Sequence, residues 1–202
     1  MNELTMYAFK PLQLLTETLS SSEFIRLKER FPSMATPYKV RKGRILVNIG
    51  QVNDSIYFLH SGVMRSYYVM NEEDITSRLI AEGEIACIAE SFFTRQKSDE
   101  ALEVLEDSLL YFVSYEEYRN LAKEDVLIAN LIMQMLEQRL VSFSEKVKLF
   151  KYLSVEQRIE AYISHPSSLF RRIPDHYIAT YLGTTPATFS RCLKTVLRSK
   201  KI

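Results

Sequence analysis

The sequence contains no tryptophan, two cysteines, three histidines and five glycines in 202 residues. Two thiols, Cys87 and Cys192, cannot build a disulfide framework or a four-thiolate cluster, and their scarcity suits a reducing compartment. No apolar run approaches the ~20 residues that a membrane helix needs. Residues 1–10 carry Glu3 and lack a basic start followed by an apolar core, so no signal peptide is expected. Nor is there an excess of one charge. The 26 Lys+Arg against 25 Asp+Glu give a net of +1, which argues against a polybasic coat or an acidic tail. What is present is ordinary globular composition, 47% hydrophobic and 25% charged, on a length that suits one large domain or two small ones. A cytoplasmic protein with no membrane partner is expected.

The charge is unevenly spread. Residues 72–125 hold fifteen Asp/Glu and five Lys/Arg, a net of −10, whereas residues 154–202 hold three and eight, a net of +5. A basic end on an otherwise acidic chain has the electrostatic footprint of nucleic-acid contact, although a solvated lysine-rich helix gives the same count. Residues 4–31 read as helical, with Leu12, Leu15, Leu19, Phe24, Leu27 and Phe31 on the apolar face. From 38 to 113 short alternating runs take over: 44–47, 56–59, 63–70, 75–80 and 109–113. Their spacing and polar breaks fit an antiparallel sandwich or barrel. Gly43, Gly50, Gly62 and Gly83 punctuate them.

Helical period returns near Ser114, a candidate N-cap. A longer helix is predicted from near Lys123 to Tyr152. Ile128, Ile132, Leu136, Leu140, Phe143, Val147 and Phe150 form one stripe over six turns, with Leu127, Leu131 and Met135 beside its first half. A small β domain cannot cover that length, so part of the stripe is expected to meet a second copy of the chain. Ser154 to Ile163 reads as a further helix, stopped by His165-Pro166. Pro174-Asp175 is expected to start a short helix, with Asp175 accepting its orphan amides. Ile178 and Leu182 form its buried side, and Ala179 lets another helix cross closely. Gly183 ends it where a positive φ is needed. Thr185 then caps a second helix with Pro186 at its first position. Phe189, Cys192, Leu193 and Val196 face inward there, opposite Thr188, Arg191, Lys194, Thr195 and Arg198. Two helices about a glycine turn, the second with a Thr/Arg/Lys outer face, describe a helix-turn-helix. The candidate DNA-facing residues are Thr184, Thr185, Thr188, Ser190, Arg191, Lys194 and Arg198.

With these pieces in place, the chain from about Lys39 onward resembles the Crp/Fnr (catabolite activator/fumarate-nitrate reductase regulator) family of transcription regulators. The resemblance rests on Arg41-Lys-Gly-Arg-Ile-Leu, Gly50, Ile56-Tyr-Phe-Leu-His-Ser-Gly62 with Arg65 following, and Ala101 to Phe112. Gln157-Arg158-Ile159 and the helix-turn-helix complete it. It implies an α+β fold: an N-terminal antiparallel β-roll of the cyclic-nucleotide-binding, jelly-roll type with flanking helices, then a long dimer helix. The C-terminal helix-turn-helix would be of winged-helix type, its wing reduced or absent after Arg198-Ser-Lys-Lys. The expected division is 1–122 effector domain, 123–152 dimerisation helix and 153–202 DNA-binding domain. The implied partners are a double-stranded DNA operator, RNA polymerase and a second copy of the chain. Arg191 occupies the family position of an arginine that contacts guanine.

One stretch departs from that pattern. Family members that bind cyclic nucleotides hold the phosphate with a Gly-Glu-Leu and, further on, an arginine followed by a small residue. Here Gly83-Glu-Ile leads to Glu90-Ser91, and Ser98-Asp99 stand where the arginine and the small residue belong. Arg95 and Lys97 are near but out of phase. Glu90, Ser91, Ser98 and Asp99 are therefore effector-pocket candidates in a domain not expected to bind cyclic AMP, though an unknown small-molecule effector remains compatible with it. No cofactor is expected. An iron–sulfur centre needs four thiolates, and His60 is the sole histidine of the β segment as a haem ligand. The competing reading is an enzymatic or metabolite-binding β domain with an incidental helix pair. Against it, no Ser/His/Asp or Cys/His order, no metal spacing and no phosphate loop is visible.

Overall fold

The computed structural model describes residues 37–199 except 125, 166 and 167. The helix expected over 4–31 and the tail after Ser199 lie outside the described residues. So do the side chains of Leu127, Ile128, Leu131, Ile132 and Met135.

Eight strands build two four-stranded antiparallel sheets. They are β1 (Tyr38–Val40), β2 (Ile45–Val47), β3 (Ser55–Ser61), β4 (Met64–Met70), β5 (Glu73–Ile80), β6 (Ile85–Ala86), β7 (Glu100–Val104) and β8 (Ser108–Ser114). One sheet runs β1-β8-β3-β6 and the other β2-β7-β4-β5, the crossed order of a jelly roll. Inward-facing Val40, Val47, Leu59, Met64, Ile80, Leu102, Val104 and Leu110 interdigitate as its core. Gly43, Gly50, Gly62 and Gly83 all turn with positive φ between strands, as their spacing suggests. The strands β1 and β6 were not expected. They are three and two residues long, too short to display a period of two.

Helix α1 (Ala89–Thr94) interrupts the roll before β7. Helix α2 (Tyr115–Glu124) follows β8, and Ser114 caps it: its Oγ accepts from Glu117 N–H, and the Glu117 carboxylate accepts from Ser114 N–H. The long helix α3 spans Val126–Tyr152, so its expected start near Lys123 shifts because α2 continues to Glu124. Helix α4 (Val155–Ile163) opens with a reciprocal capping box between Ser154 and Gln157. The remaining helices are α5 (Asp175–Tyr181) and α6 (Pro186–Ser199).

A second buried cluster joins α4, α5 and α6 to the roll. Ile159, Tyr162, Ile173, Ile178, Ala179, Leu182, Phe189 and Leu193 pack with Val63, Leu79 and Leu105 of the β segment. Polar contacts follow the same seam. Arg65 is buried between the rings of Tyr67 and Tyr177 at 4.2 and 3.7 Å, its Nε donating to Glu103 at 2.8 Å and its Nη2 paired with Asp74. Thr76 N–H donates to the Thr180 hydroxyl at 3.1 Å. Arg172 donates to both Glu82 and Glu106, at 2.7 and 2.8 Å from Nη2. Burial works to raise the Glu82 carboxyl, but its bonds from Arg172 and Gly62 N–H overcome this and hold it below its ordinary range.

Candidate nucleic-acid interface

The turn between α5 and α6 is fixed from three sides. Gly183 N–H donates to Thr180 C=O and Thr184 N–H to Ala179 C=O, the paired bonds of a Schellman ending. Gly183 has φ +67°, and a Cβ there would stand 2.7 Å from Phe150 Cε1 and 3.1 Å from Arg158 Nη1. Both the dihedral and the close approach select glycine. Arg158 is buried, donates to Leu182 C=O at 2.6 Å and lies over the Phe150 ring at 4.7 Å. It thereby ties α4 and the end of α3 to the turn.

The start of α5 differs from expectation. Its N-cap is Pro174, with no side-chain cap hydrogen bond, and Asp175 is already the first helical residue. From inside the first turn Asp175 can complement the helix dipole but cannot accept as a cap does. Thr185 caps α6 as expected, accepting from Thr188 N–H at 3.2 Å, with the two hydroxyls 3.1 Å apart.

On α6, Phe189, Leu193 and Val196 are buried, and Cys192 is half-buried beside them. Ser190, Arg191, Lys194, Thr195 and Arg198 are exposed, while Thr184 and Thr188 are half-buried. The structure thus brings Arg191, Lys194 and Arg198 onto one open face and leaves Thr185 and Thr188 occupied with capping. Among the described residues no strand follows α6.

The four effector-pocket candidates divide. Glu90 and Asp99 are exposed. Ser91 and Ser98 are buried, and both hydroxyls are engaged with the main chain. Ser91 Oγ accepts from Asn53 N–H and donates to Gln96 C=O, and Ser98 Oγ donates to Glu100 C=O and accepts from Glu100 N–H. Arg95 is engaged as well. It pairs with Asp54, donates to Asn53 C=O at 2.9 Å and stacks on Tyr115 at 4.0 Å. In this arrangement it braces α1 against the start of β3 and α2.

The other cations of the roll gather elsewhere. Lys146 Nζ of α3 donates to Ser77 C=O of β5 at 2.9 Å and lies 4.2 Å from the Tyr181 ring centroid, and Arg78, Arg139, Glu84 and Cys87 are near enough to act on this region electrostatically. The Arg78 guanidinium and, after it, burial lower Arg139 to about 10. Burial first, then the two guanidiniums, lower Lys146 to about 8. Burial raises the Cys87 thiol and keeps it neutral. Sequence reading missed this group. Arg139 and Lys146 are visibly seven residues apart on one helix face, but nothing in the sequence brings Arg78 to them.

A two-sheet jelly roll joined by a long helix to a helix-turn-helix is the architecture of the described residues. Residues 37–125 match the model of the cyclic nucleotide-binding domain. The chain is 24% identical over 189 residues to the fumarate and nitrate reduction regulatory protein of Vibrio cholerae, covering 87% of this chain and 73% of that one. It is 23% identical over 167 residues to the anaerobic regulatory protein of Haemophilus influenzae, covering 76% of this chain and 64% of that protein's length. The fold is shared with FixK2 from Bradyrhizobium japonicum at a TM-score of 0.66 and 18% identity, covering 83% of this chain and 86% of the other. Residues 37–125 thus form a cyclic nucleotide-binding type of domain, and the chain as a whole is similar to transcription regulators of the Crp/Fnr family. These relatives are regulators rather than enzymes. Among the described residues no helix is long and apolar enough to cross a membrane.

Proposed function

We propose that the chain is a sequence-specific, cytoplasmic regulator that grips a double-stranded operator as a homodimer and acts there on RNA polymerase. The division into 1–122, 123–152 and 153–202 serves sensing, pairing and reading in turn. The observation that carries this is the face of α6. Arg191, Lys194 and Arg198 stand exposed on a helix whose opposite side is locked by Phe189, Leu193 and Val196. A major groove accepts such a helix, and an arginine near its start reads guanine O6 and N7 with its fork of donors. Lys194 and Arg198, further along, suit phosphates. Pairing through α3 is supported by apolar side chains that one copy leaves open to solvent. The phosphate cassette is read as not holding cyclic nucleotide, because the Ser91 and Ser98 hydroxyls and the Arg95 guanidinium are already engaged.

Footprinting on genomic fragments identifies the operator, and Arg191→Ala tests the reading role. The variant should lose about 1–3 kcal/mol at the operator and relax preference at one base pair. Lys194→Ala should instead weaken all sequences alike and flatten the salt slope by about one. Equal loss of specific and random binding in Arg191→Ala would remove the base-reading role.

A further inference from the structure

We infer that Arg158 is a positioning residue for operator recognition: it sets the angle between α3 and the helix-turn-helix, and so the one half-site spacing that a dimer accepts. The inference rests on the reading of the chain as a dimeric operator binder. Arg158 stands where three elements meet. Helix α3 ends at Tyr152, and only Leu153 and Ser154 separate it from α4. A capping box fixes that junction, with Gln157 Oε1 accepting from Ser154 N–H at 2.9 Å and Ser154 Oγ from Gln157 N–H at 3.3 Å. Arg158 comes next and reaches across to α5, where its Nη1 donates to Leu182 C=O at 2.6 Å. That carbonyl belongs to the C-cap of α5, a group the helix end leaves open, and a cation there also complements the helix dipole. The guanidinium lies 4.7 Å from the centroid of the Phe150 ring, in the last turn of α3. A Cβ on Gly183 would meet both Phe150 and Arg158, so the glycine keeps the joint closed.

For a side chain that only fills space, this arrangement is costly. Arg158 is buried, and its Nε has no hydrogen-bond partner. An apolar side chain of similar volume would fill the same space without an unsatisfied donor. What it would not supply is direction. A fork tied to one carbonyl and seated on one ring holds three elements in a single arrangement, whereas methylenes slide. Phe150 is also the last residue of the open apolar stripe on α3 and is 37% exposed. The same ring thus belongs to the expected seam and carries the guanidinium that holds the turn. A second fastener runs beside it. Lys146 Nζ, one turn before Phe150, lies 4.2 Å from the ring centroid of Tyr181, the residue before Leu182. The end of α5 is therefore tied to α3 twice, while Arg191, Lys194 and Arg198 of α6 stay exposed and outside the joint. In a two-fold dimer each reading helix hangs from its own α3 through this joint. One base pair more or less between half-sites moves the second by about 3.4 Å and about a tenth of a turn. A stiff joint cannot follow, and simultaneous binding of both half-sites is lost.

The test compares three duplexes: the footprinted operator, the same operator with one base pair added or removed between its half-sites, and a single half-site. The wild type should bind the respaced operators about a hundredfold more weakly than the native one. Arg158→Met should keep Tm within about 4 °C and single-half-site affinity within about twofold, because the exposed face of α6 is untouched. Its penalty for respacing should shrink to about tenfold or less. Arg158→Lys can still donate to Leu182 C=O but sets no flat fork on Phe150. Its penalty should fall between the two, and it serves if the methionine variant does not fold. A hundredfold penalty retained in the variants overturns the inference. So does an equal loss on every duplex, the single half-site included, which is the mark of a purely structural residue. A wild type that prefers no genomic fragment over random duplex would instead overturn the operator reading on which the inference stands.

Discussion

Lys146 shows how far a fold can displace one side chain from its ordinary chemistry. Its ammonium is lowered to about 8 from an ordinary 10.5, chiefly by burial and then by two guanidiniums. The charged form is penalised in the fold, so the cost is fully present below pH 8 and is relieved as pH rises to about 10.5. Tyr181 beside it is raised to about 12 from 10, chiefly by burial, so above pH 10 the unfolded chain ionises first and stability falls. These two groups place a maximum near pH 10. Urea unfolding of the wild type should show a rise between pH 8 and 10 that is absent in Lys146→Met. A rise of equal size in that variant would assign it to other groups. None of this was legible in the sequence, because Lys146 meets a strand 69 residues away. Gly183 and Thr185 were legible, since turn chemistry and capping act within a few residues.

At the scale of the element, α3 carries the clearest unfinished contact. Met133, Leu136, Leu140, Phe143, Val147 and Phe150 alternate steps of three and four, and all are exposed, Leu140 at 70%. That spacing is a heptad seam. Among the described residues nothing covers it, which is the pattern expected of a seam that meets a second copy. Leu140→Asp should leave each chain folded, because this side chain is largely open to solvent. It should break a self-facing seam by several kcal/mol, since the charge would be buried unpaired. Sedimentation should then report a folded monomer with weakened operator binding, whereas a persistent dimer would place the seam elsewhere. The sheets were legible where an apolar run stood out between polar breaks, as at β2, β3, β4, β5 and β8. The short strands β1 and β6 were set by pairing to β8 and β3 rather than by their own pattern. The start of α5 was misjudged for a related reason. Pro174 and Asp175 both suit a helix start, and only the backbone decides which of them stands outside it.

For the whole molecule, the roll and the helix-turn-helix are fastened together by Arg65, Arg172 and Thr180. A ligand that binds only the native state raises the stability of everything so fastened, by about 2.7 kcal/mol at a hundredfold excess over Kd. Millimolar cyclic AMP should leave both Tm and operator affinity unchanged, because the cassette hydroxyls are committed to the main chain. A clear shift at micromolar cyclic AMP would show that Arg95 leaves its present contacts, or that exposed Lys97 turns inward, to anchor the phosphate.

Val63, Leu79 and Leu105 belong to the roll, yet they help fill the interior that Ile178, Leu182 and Phe189 need. The helices of the helix-turn-helix therefore have no complete interior of their own. Cut free at residue 153, they would present an apolar wall to water and should melt as a loose, poorly ordered fragment. They are not a cassette that can be grafted onto another sensor. A foreign sensor would have to offer the same three aliphatic side chains, at the same depth, before the transplanted helices could fold.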